Sequence, residues 1–454
     1  VRNVSFALAC VLAVATAREA SAQQSQPPPQ DPNAPVRVLT QRPPYQGIFG
    51  GGVGRTSQLL TLGLNMGGGF DSSVFVDDRN DPNAVAPVGR RRSGFVQGSA
   101  NLSYTLSLTG VSFAAGVGAS GSWYPKLDRP AARRYYGNLG GGWSISRRAS
   151  LGGNYSVAYR PINHLVTLPG LDESTVGPND PFDSVLGAQS ETYRTEQASV
   201  DFNYRLSERI GTSFRYGNWR VVSPDRDHDV STNGGTARMS FTLTKSVGVY
   251  AGYRFDSGDY HQDETIPRYT THGADFGLDF AKALSLTRKT TMSFGVGTTA
   301  ATDGNRTQYA LTGHVNVNRE IARTWHANVT YRRDVGFAET FRLPVFSDSV
   351  TSRVSGLVTR RLRFDAGLSA AFGSVGFSSD ANTENGYRSI YASAGLGFGM
   401  SRKLSGGVRY SYTRHRFESG IQSLPTDLVF QSGRHGVNVY LSSWIPLFSR
   451  TRRP

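Results

Sequence analysis

From Phe241 onward the side chains alternate. Phe241 and Leu243 interleave with Thr242 and Thr244; past Lys245-Ser246, Val247, Val249, Ala251, Tyr253 and Phe255 interleave with Gly248, Tyr250, Gly252 and Arg254. Successive side chains of a strand point to opposite faces, so this stretch predicts two strands, each apolar on one face, joined by a tight turn. The unit recurs from position 57 of the chain to its C-terminal end. Leu60 to Met66, Ala100 to Leu108, Val111 to Val117 and Tyr135 to Ile145 open the series, and Leu151 to Tyr159 follows. After an interruption over 163–190, Ala198 to Leu206, Ile210 to Tyr216 and Ala237 to Leu243 lead into the hairpin above. Beyond it come apolar faces at Phe276, Met292, Tyr309, Trp325 to Tyr331, a weaker strand over 350–359, then Leu362 to Phe372, Ile390 to Phe398, Val408 to Tyr412 and Val437 to Leu441.

The alternation predicts about 18 strands, with 16 as the alternative count, each roughly 10 to 16 residues long. Soluble sheets average about 5 to 6 residues per strand, whereas roughly 9 to 11 tilted residues cross a bilayer. Connections alternate in kind. Long polar loops are expected at 73–92, 126–133, 163–190, 224–232, 261–269, 303–305, 338–344, 378–386 and 419–432. Between them fall tight turns at Thr109-Gly110, Arg147-Arg148, Glu208-Arg209, Lys245-Ser246, Arg288-Lys289, Arg319-Glu320, Arg360-Arg361 and Arg402-Lys403. A soluble sandwich or propeller has no reason for that asymmetry, and a closed barrel is the sheet that pairs every backbone group in lipid.

Composition sharpens this. The 454 residues include 52 Gly, above the usual share of about 7%, and no apolar run is long enough for a spanning helix. Residues 1–22 read as a secretory signal peptide: Arg2, the apolar run Phe6 to Ala15, and the Ala20-Ser21-Ala22 cleavage pattern before Gln23. A buried N-terminal helix is the competing reading, and the Gln/Pro tract that follows argues against it. Leu8-Ala9-Cys10 resembles a lipidation site only faintly. Residues 23–55 form a Pro/Gln/Gly-rich tether expected on the periplasmic side, with 23–46 a segment that could meet a periplasmic partner. Gly50 to Thr56 lacks the Lys and spacing of a phosphate loop. The barrel is expected over 56–449, with 450–454 as a basic tail. Cys10 is the single cysteine, so no disulfide framework is available to the mature chain. The net charge of +15 does not point to nucleic acid, because it is spread along turns and strand faces without a basic helix or RNA-binding signature.

Taken together, the strands and loops resemble the Gram-negative outer-membrane β-barrels of porin type, over about residues 57–449. Arg434-His435-Gly436-Val437-Asn438-Val439-Tyr440-Leu441 is similar to a barrel-assembly signal, although Ser449 to Pro454 follows Phe448 where such chains commonly end in an aromatic. The resemblance implies an all-β, transmembrane, antiparallel up-and-down barrel in the outer membrane, contacting membrane lipid and the barrel-assembly machinery. If the apolar faces meet lipid, the opposite faces line a lumen. They carry Arg160, Arg205, Arg215, Arg238, Arg254, Arg332, Arg363 and Arg409, with Asp201, Asp275, Asp279 and Asp365. Placing an Arg on the lipid side at midplane would cost about 2–4 kcal/mol. A basic lumen favours small polar or anionic solutes; the plainer alternative is that the arginines pair with the aspartates and merely satisfy the interior. In porins the third loop folds inward, which implies that Asp172, Glu173, Asp180 and Asp183 form a constriction facing the arginines. An ordinary solvated loop is the other reading.

The expected function is diffusion of small hydrophilic, preferentially anionic, solutes, with no cofactor, no metal and no catalysis. Export of an acidic polysaccharide, and a plugged structural or adhesive barrel, stay open beside it. The resemblance also implies a homo-oligomer as one assembly. Asp227-His228-Asp229 and His261-Gln262-Asp263-Glu264 could serve hydrolysis or bind metal, but neither has ligand spacing.

Overall fold

The computed structural model describes residues 56–77, 88–125, 129–161, 192–222, 229–244, 247–260, 268–280, 290–302, 306–338, 341–376, 385–418 and 431–451. The signal peptide, the tether, loop 163–190, His261 to Glu264 and the turns at Lys245-Ser246 and Arg288-Lys289 lie outside the described residues, as do Asp227 and His228.

The strands are β1 (Thr56–Asp77), β2 (Val88–Leu108), β3 (Val111–Tyr124), β4 (Arg129–Ser144), β5 (Ala149–Pro161), β6 (Thr192–Arg205), β7 (Ile210–Val222), β8 (Val230–Thr242) and β9 (Val247–Tyr260). They continue with β10 (Tyr269–Phe280), β11 (Thr290–Thr302), β12 (Thr307–Glu320), β13 (His326–Ala338), β14 (Phe341–Leu357), β15 (Leu362–Val375), β16 (Gly386–Gly399), β17 (Leu404–Phe417) and β18 (Gln431–Thr451). Each strand pairs antiparallel with its neighbours in sequence, and β1 pairs with both β2 and β18. The sheet is therefore an 18-stranded closed barrel, and no strand is left as an edge.

Strands are longer than the alternation suggested: β1 has 22 residues, and β2 and β18 have 21 each. Their polar, Gly-bearing ends belong to the ladder because cross-strand hydrogen bonds do not require an apolar face. For the same reason the weak strand near Val350 extends back to Phe341, and β18 runs to Thr451, whose neighbour Arg450 pairs with Gln58. One turn is displaced. Arg319 and Glu320 pair within β12, and the chain reverses over Ile321 to Trp325, where the Ile321 amide bonds the Trp325 carbonyl. Trp325 thus sits in the turn rather than on the following strand.

The short turns share a chemistry. Ser146, Ser207, Thr359 and Ser401 each accept, through the side-chain hydroxyl, the amides two and three residues on. A Ser or Thr hydroxyl can replace a backbone partner in this way, which is why a small hydroxylated residue precedes the charged pair in each. At Thr109-Gly110 the reversal uses Gly110 at φ 78°, a left-handed conformation costly for other residues.

Alternation sorts the faces. Leu64, Met66, Leu102, Val117, Leu139, Val200, Phe276, Val296, Leu368 and Val439 point outward and are exposed. Outward aromatics stand toward both ends, Trp143, Tyr204, Phe241 and Phe398 near the turns and Trp123, Tyr159, Tyr309 and Phe372 near the loops, with Tyr155, Phe214, Tyr216, Tyr253 and Phe276 between them. Two aromatic girdles around an apolar band are the exterior of a membrane-spanning barrel.

The wall is not uniform. β12 and β13 pair only from Glu320↔His326 up to Gly313↔Arg333. Above that, Thr307 to Thr312 keeps its pairing with β11 and Asp334 to Ala338 keeps its pairing with β14, but the two strands part from each other. Tyr309 and Leu311 are among the most exposed apolar side chains, whereas Val335, on the outward face by alternation, is 2% exposed.

Candidate functional site: the inner wall

An 18-stranded barrel with strands about 4.8 Å apart and tilted about 40° has a backbone radius of about 18 Å. Its inner face is polar and carries ion pairs. Arg215 on β7 bonds Asp201, its direct cross-strand partner on β6. Arg238 on β8 reaches Asp279 on β10 at 2.7 Å, and its guanidinium lies 3.5 Å from the centroid of the Tyr250 ring. Arg254 on β9 donates to Asp256 at 2.5 Å and to Asp334 at 2.9 Å, and Arg332 also bonds Asp334. Arg409 on β17 reaches Asp365 on β15 at 3.0 Å.

These long reaches need a low floor, and glycine supplies it. Tyr250 lies flat over β10 and β11 to meet His314 on β12, its hydroxyl 3.4 Å from the imidazole. A Cβ at Gly277 would stand 2.5 Å from that ring, and one at Gly295 would also strike Tyr250. Arg409 and Asp365 cross β16 above Gly395, and Tyr440 covers Gly407. The Arg254–Asp334 pair spans from β9 to β13, too far around an even cylinder for two side chains. It forms just past the last β12–β13 pair, Gly313↔Arg333, where β13 has parted from β12.

Of the residues expected on the lumen side, Arg205, Arg215, Arg238, Arg254, Arg332, Arg363, Arg409, Asp201, Asp275, Asp279 and Asp365 occupy the strand face opposite the apolar band. Arg160 falls in β5, with its side chain outside the described set. The acidic loop residues Asp172, Glu173, Asp180 and Asp183 also lie outside it. Asp256 and Asp334 were missed, yet each sits two positions past an identified arginine and on the same face; extending the alternation past Phe255 and Tyr331 finds them. Asp71 and Arg434 carry no such signal. They are 363 positions apart, and they form a buried ion pair where β1 meets β18.

Near the loop end the inner face turns apolar. Tyr193 and Val221 pack together with Trp219, Phe95 meets Tyr124 with ring centroids 6.0 Å apart, and Tyr387 pairs with Phe417. All but Trp219 are buried. Among the described residues no group of three or more His, Cys, Asp or Glu could hold a metal ion.

The architecture is that of a porin-like outer-membrane barrel. No protein-family model matches the chain, and no curated protein matches it. Among solved structures it is similar to OccK7 (OpdD) of Pseudomonas aeruginosa, at 12% identity and a TM-score of 0.44, covering 86% of this chain and 99% of that one. OccK2 (OpdF) of the same organism, crystallised with glucuronate, is similar at 10% identity and TM-score 0.43 over 86% and 98% of the two chains. OccAB3 of Acinetobacter baumannii is similar at 14% and 0.41 over 86% and 99%. The assignment of fold and membrane rests on the strand pairing and the girdles.

Proposed function

We propose that this chain is an outer-membrane channel that passes small hydrophilic solutes by diffusion and favours anions. One observation carries the preference. In two of the wall's ion pairs the cation faces the water and the carboxylate is withdrawn, Arg215 being 65% exposed against 12% for Asp201 and Arg332 57% against 20% for Asp334, while Arg238–Asp279 and Arg409–Asp365 are evenly exposed. A buried carboxylate below an exposed guanidinium leaves the solvent side of a neutral pair positive. Arg205 and Arg363 add exposed guanidinium groups near the turn end. A positive wall raises the local concentration of anions and lowers that of cations. No energy source is required.

The test is conductance and reversal potential in planar bilayers. Ohmic current with anion selectivity is expected, and combined charge reversal of Arg205, Arg254 and Arg363 should move selectivity toward cations. Unchanged selectivity in that triple variant would refute the basic wall. The buried apolar collar near the loops favours a second reading, a barrel closed at its mouth with a structural role. Absence of current from a folded barrel would replace the channel with that reading.

A further inference from the structure

Outside the lumen, at the loop end of β16 and β17, three arginines stand on the lipid-facing side. Arg388 and Arg416 are direct cross-strand partners, and Arg414 lies opposite Ile390 two positions lower. All three are exposed. Directly opposed residues hold their Cβ atoms about 4.5–5.5 Å apart, and like charges there destabilise a sheet. Among the described residues none forms an ion pair with them. Among the described residues the carboxylate beside them is Glu418, which accepts the Gly386 amide at 2.9 Å. Phe372, Arg388, Arg416 and Glu418 line a cleft of about 420 Å³. Phe372 stands beside Arg388 as its direct cross-strand partner, and Ile390 and Tyr410 continue the apolar band beneath.

We propose that this cleft binds the phosphate of an outer-leaflet lipid. Two arginines held side by side, with the cleft's carboxylate Glu418 bonded to the Gly386 amide, match a phosphate, which each guanidinium can engage through paired N–H donors. Height selects the source. The arginines sit level with Phe372 of the upper aromatic girdle, where headgroups lie, and the apolar side chains below them offer acyl chains a surface. A free phosphate would gain nothing from that second part. The proposal rests on the loop end facing the outer leaflet and not on the lumen's being open.

The test uses the full chain in detergent, titrated with lipid A carrying its phosphates, with the same lipid dephosphorylated, and with inorganic phosphate; bound lipid is counted by native mass spectrometry. Wild type should prefer phosphorylated over dephosphorylated lipid by tenfold or more. R388Q/R416Q should lose that preference, R388K/R416K should keep part of it, and all three proteins should keep wild-type conductance and the folded barrel's electrophoretic mobility. Equal binding of both lipids by wild type, or an unaltered preference in folded R388Q/R416Q, overturns the proposal. Competition by inorganic phosphate at the lipid's own concentration would assign the cleft to a free anion and likewise overturn the lipid. Should R388Q/R416Q not fold, salt titration of wild type decides: preference for the phosphorylated lipid must fall as ionic strength rises, and a salt-independent preference counts against the site.

Discussion

Replacing Arg254 by Gln removes one positive charge from the inner wall while keeping a side chain of similar length. Arg254 sits among Asp256, Asp334 and Arg332, a group that is neutral when intact and carries one net negative charge in the variant. With a barrel radius of about 18 Å and an Arg reach of roughly 7 Å, the lost charge lay about 10 Å from the axis. In water, one unit charge acts on another at that distance with about 0.4 kcal/mol. At 0.1 M salt, screening over one Debye length reduces this to about 0.15 kcal/mol. A cation gains that amount and an anion loses it, so the cation-to-anion permeability ratio should rise by about 1.7-fold at 0.1 M salt. At 0.01 M salt the Debye length is about 30 Å, and the same sum gives about threefold. Reversal potentials across a salt gradient measure both. A shift that fails to grow on dilution, or an unchanged ratio at 0.01 M salt in a folded variant, would refute the placement of Arg254 on the conducting face.

Other perturbations probe the scaffold. D71N removes the partner of Arg434 at a fully buried position on the closing seam; loss of one member of such a pair costs about 3–5 kcal/mol, so the barrel should unfold at markedly lower temperature in a gel-shift assay, and an unshifted midpoint would contradict the pair. G295A drives a methyl group into Tyr250 and displaces it from His314 and Arg238. Losing one hydrogen bond and one cation–π contact predicts about 1–3 kcal/mol less stability in urea, and a neutral outcome would mean that Tyr250 does not lie over the glycines. Cysteines at Val317 and Val329, which are paired, should cross-link on oxidation. Cysteines at Leu311 and Val335, next-but-one above the last pair, should not, because the strands have parted there; equal rates would show an intact seam.

Much of this was legible along the chain because strand alternation is local. Leu362 to Phe372 declares its two faces with no knowledge of its neighbours, and tight turns such as Arg147-Arg148 and Glu208-Arg209 alternate with long polar loops in a single order. Arg215 and Asp201 could be placed on one face by parity alone. The limits were equally physical. Strand ends such as Phe341 to Ser349 carry weak alternation because they rise above the lipid, where no solvent contrast enforces it. Arg319 and Glu320 resemble a turn by composition, yet the ladder holds them.

Sequence alone narrowed the strand count to 18 or 16 and determined the order of pairing, the side most residues face and the end at which the long loops emerge. Each of these follows from interactions between near neighbours and from the contrast between lipid and water. Only the tertiary structure decided which residues from separated strands stand at the same height. The Asp71–Arg434 seam, the bridge from Arg254 to Asp334, the bed of Gly277 and Gly295 beneath Tyr250 and the side-by-side Arg388 and Arg416 all depend on the stagger with which the sheet closes and on the place where β13 leaves β12. Those are properties of the whole cylinder, and no single strand carries them.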